Sequence, residues 1–321
     1  MTTYGFKLMS ELHGPAALVE QAVAAEEAGL AFVAISDHIH PWLPEHEHSP
    51  FAWSVLGGVA QATERIELAT GLTCPIGRYH PAVVAQAAGT VGCMTPGRRF
   101  TLAVGAGERL NEHVTGGHFP SVDVRHEMLT EACTIIRALW SGEWTTWRGR
   151  HFSVDDTRIH DLPDVPPGLV VGVSGPSSLD VAQEVEADGI MATDADASLP
   201  HGWQRRGGAA AETWTEVPVA WAPTEEEGLA LAHERFRFGI PGWKVMSELP
   251  NPVNFAAATE TVRPEDVAEK IPHGPDPERA AVAIREFTDA GFERIAVIPV
   301  GDPSRTLRFV VDEVLPLLDD A

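Results

Sequence analysis

An acid, two imidazoles and an indole follow directly on a short apolar segment early in the chain. The segment 32–35 (FVAI) contains no polar residue and is followed by Asp37, His38, His40 and Trp42. A continuous apolar run of this length is typical of a strand covered on both faces, as in a parallel sheet. Side chains just past the C-terminal ends of such strands build the active sites of α/β folds. The segment therefore predicts an active site with carboxylate and imidazole groups.

Three other polar segments also follow candidate strands. They are SELHG at 10–14, TGLTCPIGRYHP at 70–81 and GAGERLNE at 105–112. In a closed barrel the C-terminal ends of all strands meet at one mouth, so these segments would face one another. Carboxylates close to an imidazole in a partly dry pocket tune side-chain pKa values for proton transfer. The candidates for this chemistry are Glu11, Asp37, His38, Trp42 and Glu108.

Each candidate also has an ordinary structural interpretation. His38 would satisfy or cap a loop after a strand, and Trp42 would belong to the core. Glu108 would simply open a helix, where the helix dipole favours an acid. The coincidence of all these residues at one barrel mouth favours catalysis.

His38 and His40 also form the H-x-H spacing that holds zinc on some barrel strands. A divalent metal needs three or four converging ligands and further groups that orient its imidazoles. No later strand end offers a matching set of His and Asp residues, and 45–48 (EHEH) is typical of a solvated loop. We therefore expect no catalytic metal, and a metal hydrolase is only an alternative.

Two glycine-containing segments are candidates for contact with a phosphate-bearing cofactor. The segment 105–107 (GAG) begins like a dinucleotide fingerprint, but Leu110 stands in place of the third glycine. The segment 174–178 (SGPSS) joins the fifth candidate strand to a helix, whose first N–H groups would bind a phosphate. An ordinary serine cap of that helix is the alternative.

Strand and helix patterns alternate from end to end, which predicts an α/β fold, the (β/α)8 TIM barrel with insertions. The strand candidates are residues 4–9, 32–36, 66–73, 99–104, 169–173, 189–192, 216–221 and 294–300. Helices are predicted at 15–28, which Gly29 ends, and at 81–93, 124–139, 278–290 and 306–318.

Two regions interrupt this alternation. Residues 140–168 indicate an extended or hairpin insertion before the fifth strand, and residues 236–276 indicate two or three short helices between prolines and glycines. Insertions of this length more often form lids or pocket walls than linkers. We expect one domain, 1–321, because an α/β barrel of this size is routinely a single domain.

The composition excludes several classes of partner. The formal net charge of −23 disfavours binding to the polyanionic backbone of nucleic acid. No stretch approaches about 18 consecutive apolar residues, and the first residues lack the regions of a signal peptide. The three cysteines are widely spaced and odd in number, as expected of reduced thiols. We expect a cytoplasmic protein that acts on a small molecule, with no nucleic-acid or membrane partner.

Several of these motifs together resemble the bacterial-luciferase superfamily. The segments SDHIHPW, TCPIGRYHPAVVAQ, GAGERLNE and RALWSGE are similar to oxidoreductases that depend on the deazaflavin coenzyme F420, nearest the glucose-6-phosphate and secondary alcohol dehydrogenases. The resemblance covers most of the chain and is strongest from Tyr4 to about residue 143. It implies coenzyme F420 as cofactor and hydride transfer between the deazaflavin and an alcohol or carbonyl substrate. Relatives of this kind are often dimers, so a homodimer is expected.

The resemblance also implies individual roles. His38 matches the active-site histidine, Trp42 the aromatic residue at the reaction centre, Glu108 the acid facing the ring, and Glu11 a supporting glutamate after the first strand. The cofactor would be held by Asp37, by a non-proline cis peptide at Gly71-Leu72, and by Gly107, Asn111, Ser174, Gly175 and Pro176.

One loop departs from the sugar-phosphate enzymes of this group. Those enzymes place basic residues around the substrate phosphate, one of them after the sixth strand, where this chain has Asp194 and Asp196 and no lysine. Carboxylates repel a phosphate dianion, which a lysine or arginine would bind. Lys244 and Lys270, in the later insertion 236–276, are the lysines that would be left to bind such a phosphate. We therefore expect a neutral or hydrophobic alcohol or carbonyl substrate, not glucose 6-phosphate.

An FMN-dependent monooxygenase on the same barrel is the main alternative function. It would need a second reductant and a site that shields oxygen chemistry, and SDHIHPW with Glu108 suits the deazaflavin group better. A cofactor-binding relative without activity is a further alternative, against which the intact His38, Trp42 and Glu108 argue.

Overall fold

Parallel strands close into a barrel around a packed interior. The computed structural model describes residues 2–319. The strands in this part of the chain are β1 (Thr3–Leu8), β2 (Phe32–Ile35), β3 (Glu67–Thr70), β4 (Phe100–Val104), β5 (Thr145–Arg148), β6 (Ser153–Thr157), β7 (Gly168–Gly172), β8 (Gly189–Ala192), β9 (Thr213–Val219) and β10 (Arg294–Pro299). All except β5 and β6 form the closed barrel, in the order β1-β10-β9-β8-β7-β4-β3-β2. The predicted (β/α)8 barrel is confirmed.

Helices surround the barrel and fill the connections between its strands. They are α1 (Pro15–Glu27), α2 (Ala52–Ala62), α3 (Pro81–Met94), α4 (Arg109–Glu112), α5 (Val122–Trp140), α6 (Pro176–Glu184), α7 (Ser198–Arg205), α8 (Glu225–Phe236), α9 (Trp243–Met246), α10 (Pro252–Ala258), α11 (Pro264–Ala268), α12 (Pro277–Ala290), α13 (Pro303–Phe309) and α14 (Leu315–Asp319). Among the described residues, no helix is both long and apolar enough to cross a membrane.

Aromatic rings and an ion pair fill the barrel near the N-terminal ends of its strands. The rings of Phe32 and Trp214 meet edge to face, with centroids 4.8 Å apart. The guanidinium of Arg294 lies 4.2 Å from the centroid of the Trp214 ring and pairs with Glu67. A Cβ at Gly5 would lie 2.5 Å from the Phe32 ring, so glycine is required beside it. This end is therefore packed, and ligands can enter only from the opposite end, the barrel mouth.

Small residues leave space below the barrel mouth. The side chain of Leu72 packs where Gly105 and Gly172 have no side chain, since a Cβ at those positions would lie 3.0 and 2.6 Å from its Cδ1. The layer beneath is formed largely by alanines: Ala34, Ala69, Ala103 and Ala296. A ligand at the mouth would therefore meet a floor of leucine and backbone.

The two interruptions of the barrel pattern have different structures. Strands β5 and β6 form the hairpin indicated for 140–168, and Glu131 of α5 fastens its turn by accepting the N–H groups of His151 and Phe152 at 3.0 and 2.9 Å. The stretch 236–276 contains α9, α10 and α11, as indicated. Phe238 and Phe255 of this stretch pack against the barrel mouth, so it forms a wall there.

Several element bounds differ from the sequence pattern. The strand predicted at 66–73 ends at Thr70, directly before the turn that follows. The strand predicted at 216–221 begins three residues earlier, at Thr213, and ends at Val219. Helix α2 was not among the predicted helices, because its glycines have low helix propensity. Gly58 fits there because a Cβ would lie 3.1 Å from Val19 on the adjacent α1.

Candidate active site

Three strand ends bring Glu11, His38 and Glu108 together at the barrel mouth. Glu11 follows β1, His38 follows β2 and Glu108 follows β4. Nδ1 of His38 lies 2.9 Å from Oε1 of Glu11, and Nε2 lies 3.8 Å from Oε1 of Glu108. The imidazole therefore lies between two carboxylates, one on each of its nitrogens.

The two partners of His38 differ in their surroundings. Glu11 is 1% exposed and also accepts a hydrogen bond of 3.0 Å from the hydroxyl of Ser36. Burial is the largest single influence and opposes ionisation of Glu11. The charge of His38, the hydrogen bonds that the carboxylate accepts and the charge of Lys7 together outweigh burial, so the pKa of Glu11 is lowered to about 2. Burial likewise disfavours the imidazolium, while Glu11 and then Glu108 favour it, so the pKa of His38 is raised. The resting pair is thus a buried carboxylate and a readily protonated imidazole.

Asn111 fixes the loop that carries His38. Its Oδ1 accepts the backbone N–H groups of Ile39 and His40 at 2.8 and 3.0 Å. Its Nδ2 donates to Oε1 of Glu108 at 2.5 Å. The side chain is 1% exposed, and both ends of its amide are engaged. In this structure Asn111 positions Glu108 and the histidine loop, and its contact with a cofactor stays a prediction.

Trp42 joins the histidine to the wall formed by 236–276. Its ring meets that of His38 edge to face at 4.7 Å and stacks on Phe238 at 4.9 Å. Phe255 meets it edge to face at 5.3 Å. Within the described residues the indole N–H has no protein acceptor. Trp42 therefore belongs to the core of this wall, and its ring contacts the imidazole while its N–H remains free to donate.

Asp37 lies within a buried polar network. Its Oδ1 accepts from Nη2 of Arg78 at 2.9 Å and from the hydroxyl of Tyr79 at 3.0 Å. Its Oδ2 accepts from the hydroxyl of Thr73 at 2.8 Å. Burial, and then the charge of Asp37, raise the pKa of Tyr79, which therefore remains a donor. The carboxylate is closed off by protein partners and anchors the backbone directly before His38, while its predicted contact with the cofactor ring is untested.

A buried lysine, which the sequence pattern did not indicate, lies in the floor of the site. Lys7 of β1 is 3% exposed, and its Nζ lies 2.6 Å from Oε2 of Glu216 on β9. The ammonium also donates to the carbonyl of Gly71. The Gly71–Leu72 peptide is cis, as the family resemblance implies. The sequence does show a lysine within the first predicted strand, but its partner Glu216 is too distant in the chain for the pair to be recognised from sequence.

The segment 174–178 forms the start of α6. The hydroxyl of Ser178 accepts the N–H groups of Ser174 and Gly175 at 2.9 and 3.2 Å and donates to the Gly175 carbonyl. Within the described residues the N–H groups of Ser177 and Ser178 have no protein acceptor. A Cβ at Gly175 would have no neighbour within 4 Å, so the space in front of the helix is open. This geometry suits a phosphate, and Pro176 begins the helix without needing an acceptor.

Gly107 permits the close packing of the turn between β4 and α4. Its φ is +74°, in the left-handed region that favours glycine. A Cβ there would lie 2.5 Å from Sγ of Cys74 and 2.8 Å from Cγ of Glu112. Cys74 and Glu112 thus lie directly behind the turn that presents Glu108, although sequence reasoning did not select them.

The remaining candidates do not converge on His38. His40 is partly exposed, and within residues 2–319 no group of three potential ligands is placed to hold a metal ion. Asp194, Lys244 and Lys270 are exposed. The solvated-loop interpretation of 45–48 is wrong for His46, which is 2% exposed because it packs edge to face on a phenylalanine at 5.9 Å.

The chain as a whole matches a known family of proteins. The chain matches the luciferase-like monooxygenase family over residues 2–312, and it belongs to that family. Within the family it groups with the F420-dependent oxidoreductases, as its motifs indicate.

Individual relatives support this grouping. The chain is 36% identical over 308 residues to an F420-dependent hydroxymycolic acid dehydrogenase of Mycobacterium tuberculosis, covering 94% of this chain and 84% of that protein. It is 33% identical over 331 residues to an F420-dependent glucose-6-phosphate dehydrogenase of Microbacterium testaceum, covering 98% and 97%. A solved F420-dependent secondary alcohol dehydrogenase in complex with an F420-acetone adduct superposes with a TM-score of 0.89 at 28% identity, covering 98% of both chains.

Proposed function

We propose that this protein binds coenzyme F420 and transfers a hydride between the deazaflavin and the carbinol or carbonyl carbon of a small neutral substrate. The observation that carries the proposal is the imidazole of His38 held between Glu11 and Glu108 at the barrel mouth. The relatives named F420-dependent dehydrogenases, which match nearly the whole chain, support the choice of cofactor.

The residues at the mouth fit a flat ring attached to a phosphate. The Gly71-Leu72 turn provides a floor of backbone and one apolar side chain. Gly107 and Asn111 would contact the ring from the segment after β4. The open start of α6, from Ser174 to Pro176, would hold the phosphate through backbone N–H groups. When bound, the deazaflavin supplies the ring carbon that accepts or returns the hydride.

His38 is the proton carrier of the substrate. Glu11 fixes the ring through Nδ1, which leaves Nε2 directed toward Glu108 and the mouth. For alcohol oxidation the neutral imidazole takes the hydroxyl proton at Nε2, and for carbonyl reduction the imidazolium donates it. Because Glu11 remains ionised throughout, it stabilises the imidazolium in either direction.

Trp42 and Glu108 complete the site on either side of the imidazole. The unengaged indole N–H of Trp42 donates to the oxygen of the substrate, where negative charge develops. Glu108, kept in one orientation by Asn111, faces the cofactor side. In its protonated form it would donate a proton there during alcohol oxidation, and as the carboxylate it would take that proton back during carbonyl reduction. The contact of the Trp42 ring with the imidazole and the 3.8 Å separation of Glu108 from Nε2 support both assignments.

The charges at the mouth favour a neutral substrate. The buried cations Lys7 and Arg78 are already paired with Glu216 and Asp37 at 2.6 and 2.9 Å. The loop after β8 contributes exposed carboxylates, including Asp194. The wall formed by 236–276 is apolar, because Phe238, Phe255 and Met246 cluster there with Trp42. A neutral or hydrophobic alcohol or ketone therefore suits this mouth better than a phosphorylated sugar.

The direct test of the proposed function is comparative cofactor binding. Titration of the purified protein with oxidised F420 should quench the deazaflavin fluorescence, and FMN should bind at least tenfold more weakly, a difference of about 1.4 kcal/mol. Tight FMN binding without F420 binding would replace the proposal with the FMN-dependent monooxygenase.

A further inference from the structure

A second glutamate, Glu112, lies close to Glu108 and joins helix α4 to the loop after β3. Glu112, at the end of the single turn α4, is 6% exposed, and its Oε2 accepts the backbone N–H of Arg78 at 2.7 Å. The carboxyl group lies so close to Gly77 that a Cβ there would be 2.7 Å from Oε2. Its stem packs on the backbone of Gly107. Glu112 is therefore a buried clamp between α4 and the loop after β3.

Both elements that Glu112 joins, the loop after β3 and helix α4, position the proposed catalytic groups. The loop after β3 carries Arg78 and Tyr79, which hold the carboxylate of Asp37 directly before His38. Helix α4 follows Glu108, its N-terminal flanking residue. A movement of α4 against the loop would therefore change the separation of His38 and Glu108.

The charged and titratable groups around Glu112 act in opposing directions. Glu108 faces it from its own helical turn, while Arg78, Tyr79 and the thiol of Cys74 face it from the loop after β3. Burial is the largest influence, followed by the N–H bond from Arg78, which favours ionisation, and the charge of Glu108, which opposes it. The pKa of Glu112 is raised to about 7.

We propose that Glu112 is a positioning residue of the active site, whose carboxyl group fastens the Arg78 loop to α4 and, when protonated, avoids a second negative charge beside Glu108. A protonated carboxyl still offers its carbonyl oxygen to the N–H of Arg78. The part that concerns Glu108 rests on the proposed function, whereas the fastening of the loop does not.

The first test uses the cofactor-free protein and the variant Glu112→Gln. Glutamine keeps an oxygen for the N–H of Arg78 and imitates the protonated carboxyl. Because the folded protein retains a proton that the unfolded chain releases above the ordinary pKa of 4.5, stability is lost between pH 4.5 and about 7. The thermal midpoint of the unsubstituted protein minus that of Glu112→Gln should therefore fall across this range and level off above it.

A matched control and a shorter side chain complete the test. Glu20→Gln, an exposed position on α1, should show no such pH dependence. Glu112→Asp cannot reach the N–H of Arg78, so it should melt below Glu112→Gln and, when loaded with cofactor, lower kcat by at least about tenfold relative to it. A pH-independent difference for Glu112→Gln, or an aspartate variant equal to the glutamine variant, would overturn the proposal. The melting measurements stand even if the cofactor is not F420.

Discussion

Oε1 of the buried Glu11 carboxylate lies 2.9 Å from Nδ1 of His38, and Glu11 is only 1% exposed to solvent. This contact leaves Nε2 as the nitrogen available to a substrate. It also couples two titrations, because the charge on each group favours the charge on the other. The pH dependence of both stability and activity follows from this pair.

The stability that the Glu11–His38 pair confers on the fold should be greatest at an intermediate pH. The pKa of Glu11, lowered from 4.5 to about 2, gives stability that is present above pH 4.5 and lost as the pH falls toward 2. The raised pKa of His38 gives stability that is present below pH 6.5 and lost as the pH rises through its folded value. The thermal midpoint of Glu11→Gln should therefore lie furthest below that of the unsubstituted protein between pH 4.5 and 6.5. A difference that is constant with pH would show that the two groups are not coupled.

The two directions of the reaction should respond oppositely to pH. Alcohol oxidation requires neutral His38, so kcat/KM should rise as the pH passes the raised pKa of His38, whereas carbonyl reduction should decline over the same range. In Glu11→Gln both transitions should move to lower pH, because the favourable charge is removed. Transitions unchanged in this variant would assign the pH dependence to another group.

A charge placed before α6 should weaken cofactor binding. Gly175 is extended, with φ of 172°, and a Cβ there meets no neighbour, so larger side chains fit without strain. Gly175→Glu should weaken F420 binding by at least about tenfold through repulsion of the phosphate. Gly175→Gln, of similar size but neutral, is the control for steric obstruction. Equal effects of the two variants, or none, would place the phosphate elsewhere.

Glucose 6-phosphate should be a poor substrate. Asp194 and Asp196 are exposed in the loop after β8, and they would repel its phosphate dianion. Neutral secondary alcohols of increasing chain length should be oxidised with kcat/KM at least about tenfold higher, as compared in parallel assays with F420. Comparable turnover of glucose 6-phosphate would show that exposed cations such as Lys244 bind the phosphate.

The sequence predicts which segments meet at the barrel mouth but not how their side chains pair. Strand ends are recognisable from local patterns, so the sequence alone predicts that Glu11, His38 and Glu108 lie at one mouth. The partners of Lys7 and Asp37 follow from strand order and register, which join residues far apart in the chain. Those buried pairs can therefore be identified only from the three-dimensional structure.

The same limit applies to residues that position the site. Asn111 belongs to a recognisable motif, yet its bonds to the backbone of Ile39 and His40 depend on a crossing of two loops. Glu112 has an ordinary helical sequence context, and its environment is set by its burial against Gly77. Local sequence carries no information on that contact.

The most direct test of the central claim follows the hydride in a single turnover and measures how far its transfer depends on His38. The protein saturated with F420 should be mixed with secondary alcohols that carry deuterium on the carbinol carbon, and the deuterium should be recovered on the reduced deazaflavin. His38→Ala should bind F420 about as tightly but transfer deuterium roughly 10²–10⁴ times more slowly. A folded, F420-saturated His38→Ala protein with a near-native rate, or a reduced cofactor without deuterium, would contradict the mechanism.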